Sequence, residues 1–191
     1  MNACLRRLNR RRAALLRALG LEAAALRLLD RLCKQAPEDA CSHAQRLQLL
    51  ALAGAWPAAL ADSACVLAHR PGHAANWFNH GYLLQQVERW AEADEAFVRA
   101  IRLDPQMDRA WYGLALVRIC QGRLHEAAQA LARNTALQPL SPHGWYQLAR
   151  VQLDLQQPEA ASQTLRRLQA FEPRVAQQLE RDTGLAVPVT P

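Results

Sequence analysis

Apolar positions along the chain recur at the period of a helix, not of a strand. Ala93, Ala96, Phe97, Ala100 and Ile101 fall at i, i+3, i+4, i+7 and i+8, and just before them Trp77, Gly81 and Leu84 fall at i, i+4 and i+7. Each set makes one stripe on an amphipathic helix. Two such helices lying antiparallel bury both stripes against each other, and the small residues Gly81 and Ala93 let the backbones approach while Phe97 fills the space beside them. Ala, Leu, Arg and Gln dominate the chain and strand-forming residues are sparse, so the pattern predicts an all-helical protein without a sheet.

The helix pair repeats. Pro37, Pro71, Pro105, Pro139 and Pro173 are each 34 residues apart, a coincidence with a chance on the order of 10⁻⁵ at ordinary proline frequency. Twelve positions before each proline stands an alanine: Ala25, Ala59, Ala93, Ala127 and Ala161. Trp77, Trp111 and Trp145 form another column, and Trp56 with Trp90 a shorter one. Gly20, Gly54 and Gly122 share the column of the turn between the two helices, where positive φ is useful, and Glu88 and Gln156 occupy it elsewhere. Each proline disfavours helix at the residue before it and so ends the second helix of its unit.

These columns resemble the tetratricopeptide-repeat family, whose unit runs W-x2-L-G-x2-Y, then A-x3-F, then P. The segment Ala74 to Met107 fits best, with Trp77, Gly81, Ala93, Phe97, Ala100 and Pro105; His80 stands where Leu is usual and Leu84 where Tyr is usual. Two further units carry Trp111, Leu114, Ala115, Ala127, Leu131 and Trp145, Leu148, Ala149, Ala161, Leu165. The unit at 40–71 is weaker, with His43 in the tryptophan column, Leu47 in the small-residue column and Ser63 in the phenylalanine column. The unit at 6–37 is degenerate, with Asn9 and Arg12 in the tryptophan and leucine columns. The resemblance implies an all-α, right-handed superhelical solenoid of antiparallel helix pairs. It would hold about five units (6–37, 40–71, 74–105, 108–139, 142–173) and a capping helix over 174–183. The expectation is one domain over 1–183, followed by a frayed tail at 184–191.

Charge is unevenly placed. The net +6 resolves into nine basic residues against two acids over 1–37, and near neutrality beyond. Arg6, Arg7, Arg10, Arg11, Arg12 and Arg17 fall in a 17-residue stretch without an acid, interspersed with Leu5, Leu8, Leu15 and Leu16. Two readings stand open for it: the first helix of the degenerate unit with arginines facing solvent, or a segment that contacts an anionic membrane or nucleic acid. No aromatic residue precedes Trp56, which weakens the nucleic-acid alternative. Five cysteines without a CxxC pair are expected to be reduced thiols. No apolar run reaches the length of a membrane span, so a soluble cytoplasmic protein is expected, with a peripheral place at the inner membrane as the alternative.

Catalytic patterns are missing. No phosphate-binding loop, dinucleotide fingerprint or nucleophile elbow occurs. His125-Glu126 begins a metalloprotease-like helix, but Gln129 stands where the second histidine belongs. Cys65, His69 and His73 have metal-ligand chemistry, yet Pro71-Gly72 interrupts the helix between them. The expectation is a non-enzyme without metal, cofactor or small-molecule substrate.

The resemblance further implies a groove on the first-helix faces that holds a peptide or a helix of another protein. Matching its positions column by column gives Gln45 and Gln48, then Phe78, Asn79, Tyr82 and Gln86. Beyond these come Arg109, Tyr112, Leu116 and Cys120, and then His143, Tyr146, Gln147 and Arg150. The family's clamp for the carboxylate tail of heat-shock chaperones finds only Asn79 and Arg109, with Ala44, Gln48 and Gly113 at its other positions, so that ligand is not expected. The functional expectation is a protein-binding scaffold, adaptor or assembly factor. The alternatives are a membrane-surface or nucleic-acid-associated factor acting through the arginine-rich end, or a helical-repeat secretion chaperone.

Overall fold

The computed structural model describes residues 3–185, so residues 186–191 of the expected tail lie outside the described residues. Eleven helices and no strand occur among them. Chain contacts divide them into two compact units, one ending at Leu103 and one starting at Asp104.

The first unit holds α1 (Ala3–Ala18), α2 (Glu22–Gln35), α3 (Ala40–Leu52), α4 (Trp56–His69), α5 (Ala74–Gln86) and α6 (Trp90–Leu103). The second holds α7 (Asp108–Cys120), α8 (Leu124–Leu137), α9 (Pro142–Asp154), α10 (Pro158–Phe171) and α11 (Pro173–Thr183). Helices α2, α4, α6, α8 and α10 start 34 residues apart, as the columns require. Their buried faces keep one pattern. Ala25, Ala59, Ala93, Ala127 and Ala161 are each 0% exposed, because only a methyl group fits where the paired helix passes. In α5 and α6 the approach is close enough that a Cβ on Gly81 would meet the Phe97 ring at 3.0 Å.

The turn within each pair is one motif built five times. Gly20, Gly54, Glu88, Gly122 and Gln156 all take positive φ, between 58° and 72°. The next amide reaches back to a carbonyl five residues earlier at 2.8–2.9 Å (Leu21 to Leu16, Ala55 to Leu50, Arg89 to Leu84, Arg123 to Arg118, Gln157 to Gln152). This is a Schellman cap, which satisfies carbonyls the helix end leaves open. The tryptophan column is anchored as regularly. Trp77, Trp111 and Trp145 each donate an indole N–H to the carbonyl of the proline six residues earlier, at 2.7, 3.0 and 2.9 Å. A guanidinium from Arg99, Arg133 or Arg167 lies over the same ring at 5.6–5.9 Å.

The unit at 40–71, the weaker match by sequence, carries a polar network in place of the apolar columns. Asp62 is 1% exposed in a column where α6 has Ala96. Arg46 donates to both its oxygens at 2.6 and 2.8 Å and to Asp30 at 3.0 Å. His43 meets Asp62 with Nδ1 at 2.6 Å and the Pro37 carbonyl with Nε2 at 3.1 Å, the bond tryptophan makes elsewhere. Ser63, in the phenylalanine column, lies 2.6 Å from Nδ1 of His80 and donates to the Leu60 carbonyl. The departures His43, Ser63 and His80 thus find polar partners, as buried polar groups must.

At the far end of the second unit, α11 buries Ala176 and Leu179 and stops at Gly184, in the left-handed conformation.

Candidate functional site

In the first unit the exposed side of α3 and α5 opens into a recess of about 500 Å³, lined chiefly by Arg17, Gln48, Leu52, Trp56, Phe78, Asn79 and Tyr82. Four helices, α1, α3, α4 and α5, supply the walls, and the short turn through Ala53 and Gly54 follows the end of α3. Leu52 is 75% exposed there. Trp56 and Tyr82 pack edge to face with centroids 6.3 Å apart, and Phe78 leans on Phe97 of the core at 5.9 Å. Arg17 crosses from α1 to donate to Gln48 at 2.7 Å. No acidic residue lines the recess. The arrangement is an apolar, aromatic floor with amide and guanidinium groups at the rim, suited to desolvating a side chain of a partner and bonding the polar groups beside it.

Four groove residues expected from the sequence, Gln48, Phe78, Asn79 and Tyr82, line this recess, while Gln86 sits half-buried near the end of α5, outside it. Trp56, Leu52 and Arg17 join them without having been assigned to the groove. Trp56 comes from a second helix of the pair, outside the columns a groove reading consults.

The second unit treats its groove residues differently. Tyr112 is half-buried and hydrogen-bonded to Gln147; burial pushes its phenol pKa up, with Gln147 opposing. Tyr146 donates to Asp182 of α11 at 2.5 Å, and the Arg150 guanidinium lies over its ring at 6.0 Å. That hydrogen bond raises the Tyr146 pKa, with burial adding to it. Arg109 is exposed near the start of α7 and Leu116 half-buried on the same helix. Tyr112 and Gln147 are thus brought together, and Tyr146 with Arg150, each pair already engaged within the unit.

The arginine-rich stretch folds as α1, the first helix of the first pair, and its arginines separate by face. Arg6 pairs with Glu38 at 3.3 Å and Arg10 with Asp39 at 2.5 Å. Burial works to raise the Asp39 pKa, but hydrogen bonds from Ser42 and Arg10 outweigh it and hold it below the usual carboxylate value. Arg7, Arg11 and Arg12 are exposed.

The residues with ligand chemistry have local partners. Cys65 donates to the Pro37 carbonyl at 3.2 Å, His69 Nδ1 lies 2.9 Å from the Cys65 carbonyl, and His73 precedes α5. Glu126 pairs with Arg123 at 2.6 Å beside exposed His125. Among the described residues no three His, Cys, Asp or Glu side chains come together as a metal site, and no helix is long and apolar enough to cross a membrane. Cys33 is buried beside the Asp62 network; burial, with Arg46 opposing and Asp62, Asp30 and Asp39 adding, pushes its thiol pKa up to about 12.

A sequence model described as tetratricopeptide repeat matches residues 74–107, the unit that carries Gly81 and Phe97. Among curated proteins none matches the sequence. Solved structures do match the chain. MamA 41-end from Desulfovibrio magneticus RS-1 is 20% identical with a TM-score of 0.79, covering 93% of this chain and 96% of that one. YrrB, described as a TPR protein with an unusual peptide-binding site, is 18% identical at a TM-score of 0.79, covering 88% of each chain. PilW, described as a widely conserved type IV pilus biogenesis factor, is 19% identical at 0.74, covering 97% of this chain and 89% of that one. At these identities the likeness concerns the fold alone: the chain has an all-helical fold of the tetratricopeptide-repeat type, and residues 74–107 match a tetratricopeptide repeat.

Proposed function

We propose that the protein is a non-catalytic interaction scaffold and that the recess of its first unit receives an apolar anchor from a segment of another protein. The observation that carries this reading is the open recess itself: Trp56, Phe78 and Tyr82 are grouped with exposed Leu52 and rimmed by Arg17, Gln48 and Asn79. Aromatic residues and arginine supply most of the binding energy at protein interfaces, and they do so at the centre of a concave patch. The rim offers donors and a cation but no acid, which favours a segment whose anchor is flanked by carbonyl or carboxylate groups. The groove residues Arg109, Tyr112, Leu116, Tyr146, Gln147 and Arg150 are assigned a lesser role, since Tyr146 and Tyr112 must first release Asp182 and Gln147.

YrrB, which shares the fold, is described by its peptide-binding site, and that supports a peptide ligand here. A photo-crosslinking residue at position 52, compared with one at Leu140, which is equally exposed in the second unit, tests the reading. Partners crosslinked from position 52, lost on Tyr82→Ala and not captured from position 140, are expected. The same proteins captured from both positions would sink it.

A further inference from the structure

We infer that the outer face of α1 seats the protein on an anionic lipid bilayer, lying in the interface and not crossing it. Leu5, Leu8, Leu15 and Leu19 are 47%, 61%, 60% and 65% exposed. Their spacing of 3, 7 and 4 residues places them in one stripe along the helix and its end. Ala13, on the opposite side, is 2% exposed and packs into the core with Leu28 and Leu29 of α2. The stripe is therefore turned away from the fold. Arg12 falls within it and Arg7 and Arg11 beside it. Among the described residues, and in contrast to Arg6 and Arg10, these three meet no acidic side chain, and α1 contains none. Arg27, Arg31 and Lys34 are exposed on α2.

The occupant must accept leucine and arginine side by side. A second copy offers the leucines but brings the same cations, which repel. A protein partner needs carboxylates at fixed places around its own apolar stripe, including one opposite Arg12. A bilayer with anionic headgroups meets both demands without such matching: leucines enter the acyl boundary while guanidinium groups extend to phosphate, their stems staying apolar. Each basic residue held near an anionic leaflet is worth about 1 kcal/mol, so Arg7, Arg11 and Arg12 together account for on the order of a 100-fold gain in partitioning.

The test is co-sedimentation of the full chain with vesicles of phosphatidylcholine alone and of phosphatidylcholine mixed with phosphatidylglycerol, at low and at physiological salt. The wild type should bind the anionic vesicles and weaken with salt. Arg7→Gln/Arg11→Gln/Arg12→Gln should lose on the order of 100-fold. Leu8→Gln/Leu15→Gln should lose roughly tenfold or more at both salts, since each leucine leaves water. All five side chains are exposed, so both variants should keep the wild-type helical content. In variants whose other cysteines are replaced by serine, an environment-sensitive dye on Cys4, exposed on α1, should shift to the blue on anionic vesicles while the same dye on exposed Cys120 should not. Equal binding to neutral vesicles, retention by the leucine variant, or an unmoved Cys4 dye would each overturn the inference. So would a concentration-dependent dimer abolished by the leucine variant, which would assign the face to self-association.

Discussion

Removal of the Asp62 carboxylate should cost far more than removal of an ordinary hydrogen-bonding group. Asp62 accepts from Arg46 at 2.6 and 2.8 Å and faces His43 Nδ1 at 2.6 Å, in a site where it is 1% and His43 8% exposed. Asp62→Ala leaves His43 only its contact with the Pro37 carbonyl at 3.1 Å and Arg46 only its bond to Asp30 at 3.0 Å. Breaking a buried pair costs about 3–5 kcal/mol, against about 1 kcal/mol for a typical neutral hydrogen bond. Because Asp30 remains to Arg46, the lower end, about 3 kcal/mol, is expected. In urea unfolding followed by helical circular dichroism, with a slope of roughly 2 kcal/mol per molar, the midpoint should fall by about 1.5 M. The companion variant replaces the whole network with residues that other repeats place in the same columns: His43→Trp, Arg46→Leu and Asp62→Ala, as in Trp77, Leu114 and Ala96. Replacing a buried ionic cluster by packed apolar groups is commonly neutral or stabilising, so the triple variant should return to within about 1 kcal/mol of the wild type or exceed it. A loss under about 1 kcal/mol for Asp62→Ala, or a triple variant as weak as the single one, would refute this reasoning.

Glu88 holds a φ of 58° where three other units have glycine. Glu88→Gly should stabilise by up to about 1 kcal/mol, the relief of a left-handed side chain less glycine's entropy. Gly122→Ala should destabilise, although a Cβ there meets nothing within 4 Å; thermal melts check both. His80 is held below its ordinary pKa by burial, with Arg89 adding and Glu92 opposing. The unfolded chain therefore takes up the proton first as pH falls below about 6.5. Stability present above that pH should be lost on acidification, and His80→Leu should flatten the profile over the same window. With its pKa pushed up to about 12, Cys33 should resist iodoacetamide at mildly alkaline pH while exposed Cys4 and Cys120 react, as peptide mass mapping would record. Full labelling of Cys33 before unfolding would contradict its burial.

The repeat was legible because its physics is local and periodic. Alanine, tryptophan and turn columns place helices α2 to α10 and even forecast the strained turn residues Glu88 and Gln156, since equivalent positions meet equivalent constraints. The close approach of Gly81 to Phe97 was legible for the same reason. The polar network was not. His43, Arg46 and Asp62 stand in three different columns, and comparison down a column registers each as a defect without revealing that they meet. The arginines over the tryptophan rings do form a column, at 99, 133 and 167, but arginine on a helix surface is too common in this chain to stand out. Groove residues were readable as positions, not as open or occupied ones: Tyr146 is engaged by Asp182, 36 residues later, on a helix outside the repeat.

The network of the 40–71 unit has a consequence for assembly order. Similar repeats can in principle stack with one another's neighbours, sliding the chain by one unit, because alanine faces leucine equally well anywhere. Here Arg46 reaches back to Asp30 of the preceding pair, and Ser63 reaches forward to His80 of the following one. A stack displaced by 34 residues would cost Arg46 its bond to Asp30, leaving it Asp62, and would leave His80 without Ser63. This weaker unit is therefore a key cut differently on its two sides, which favours one predecessor and one successor and so biases the sequence in which these helices join.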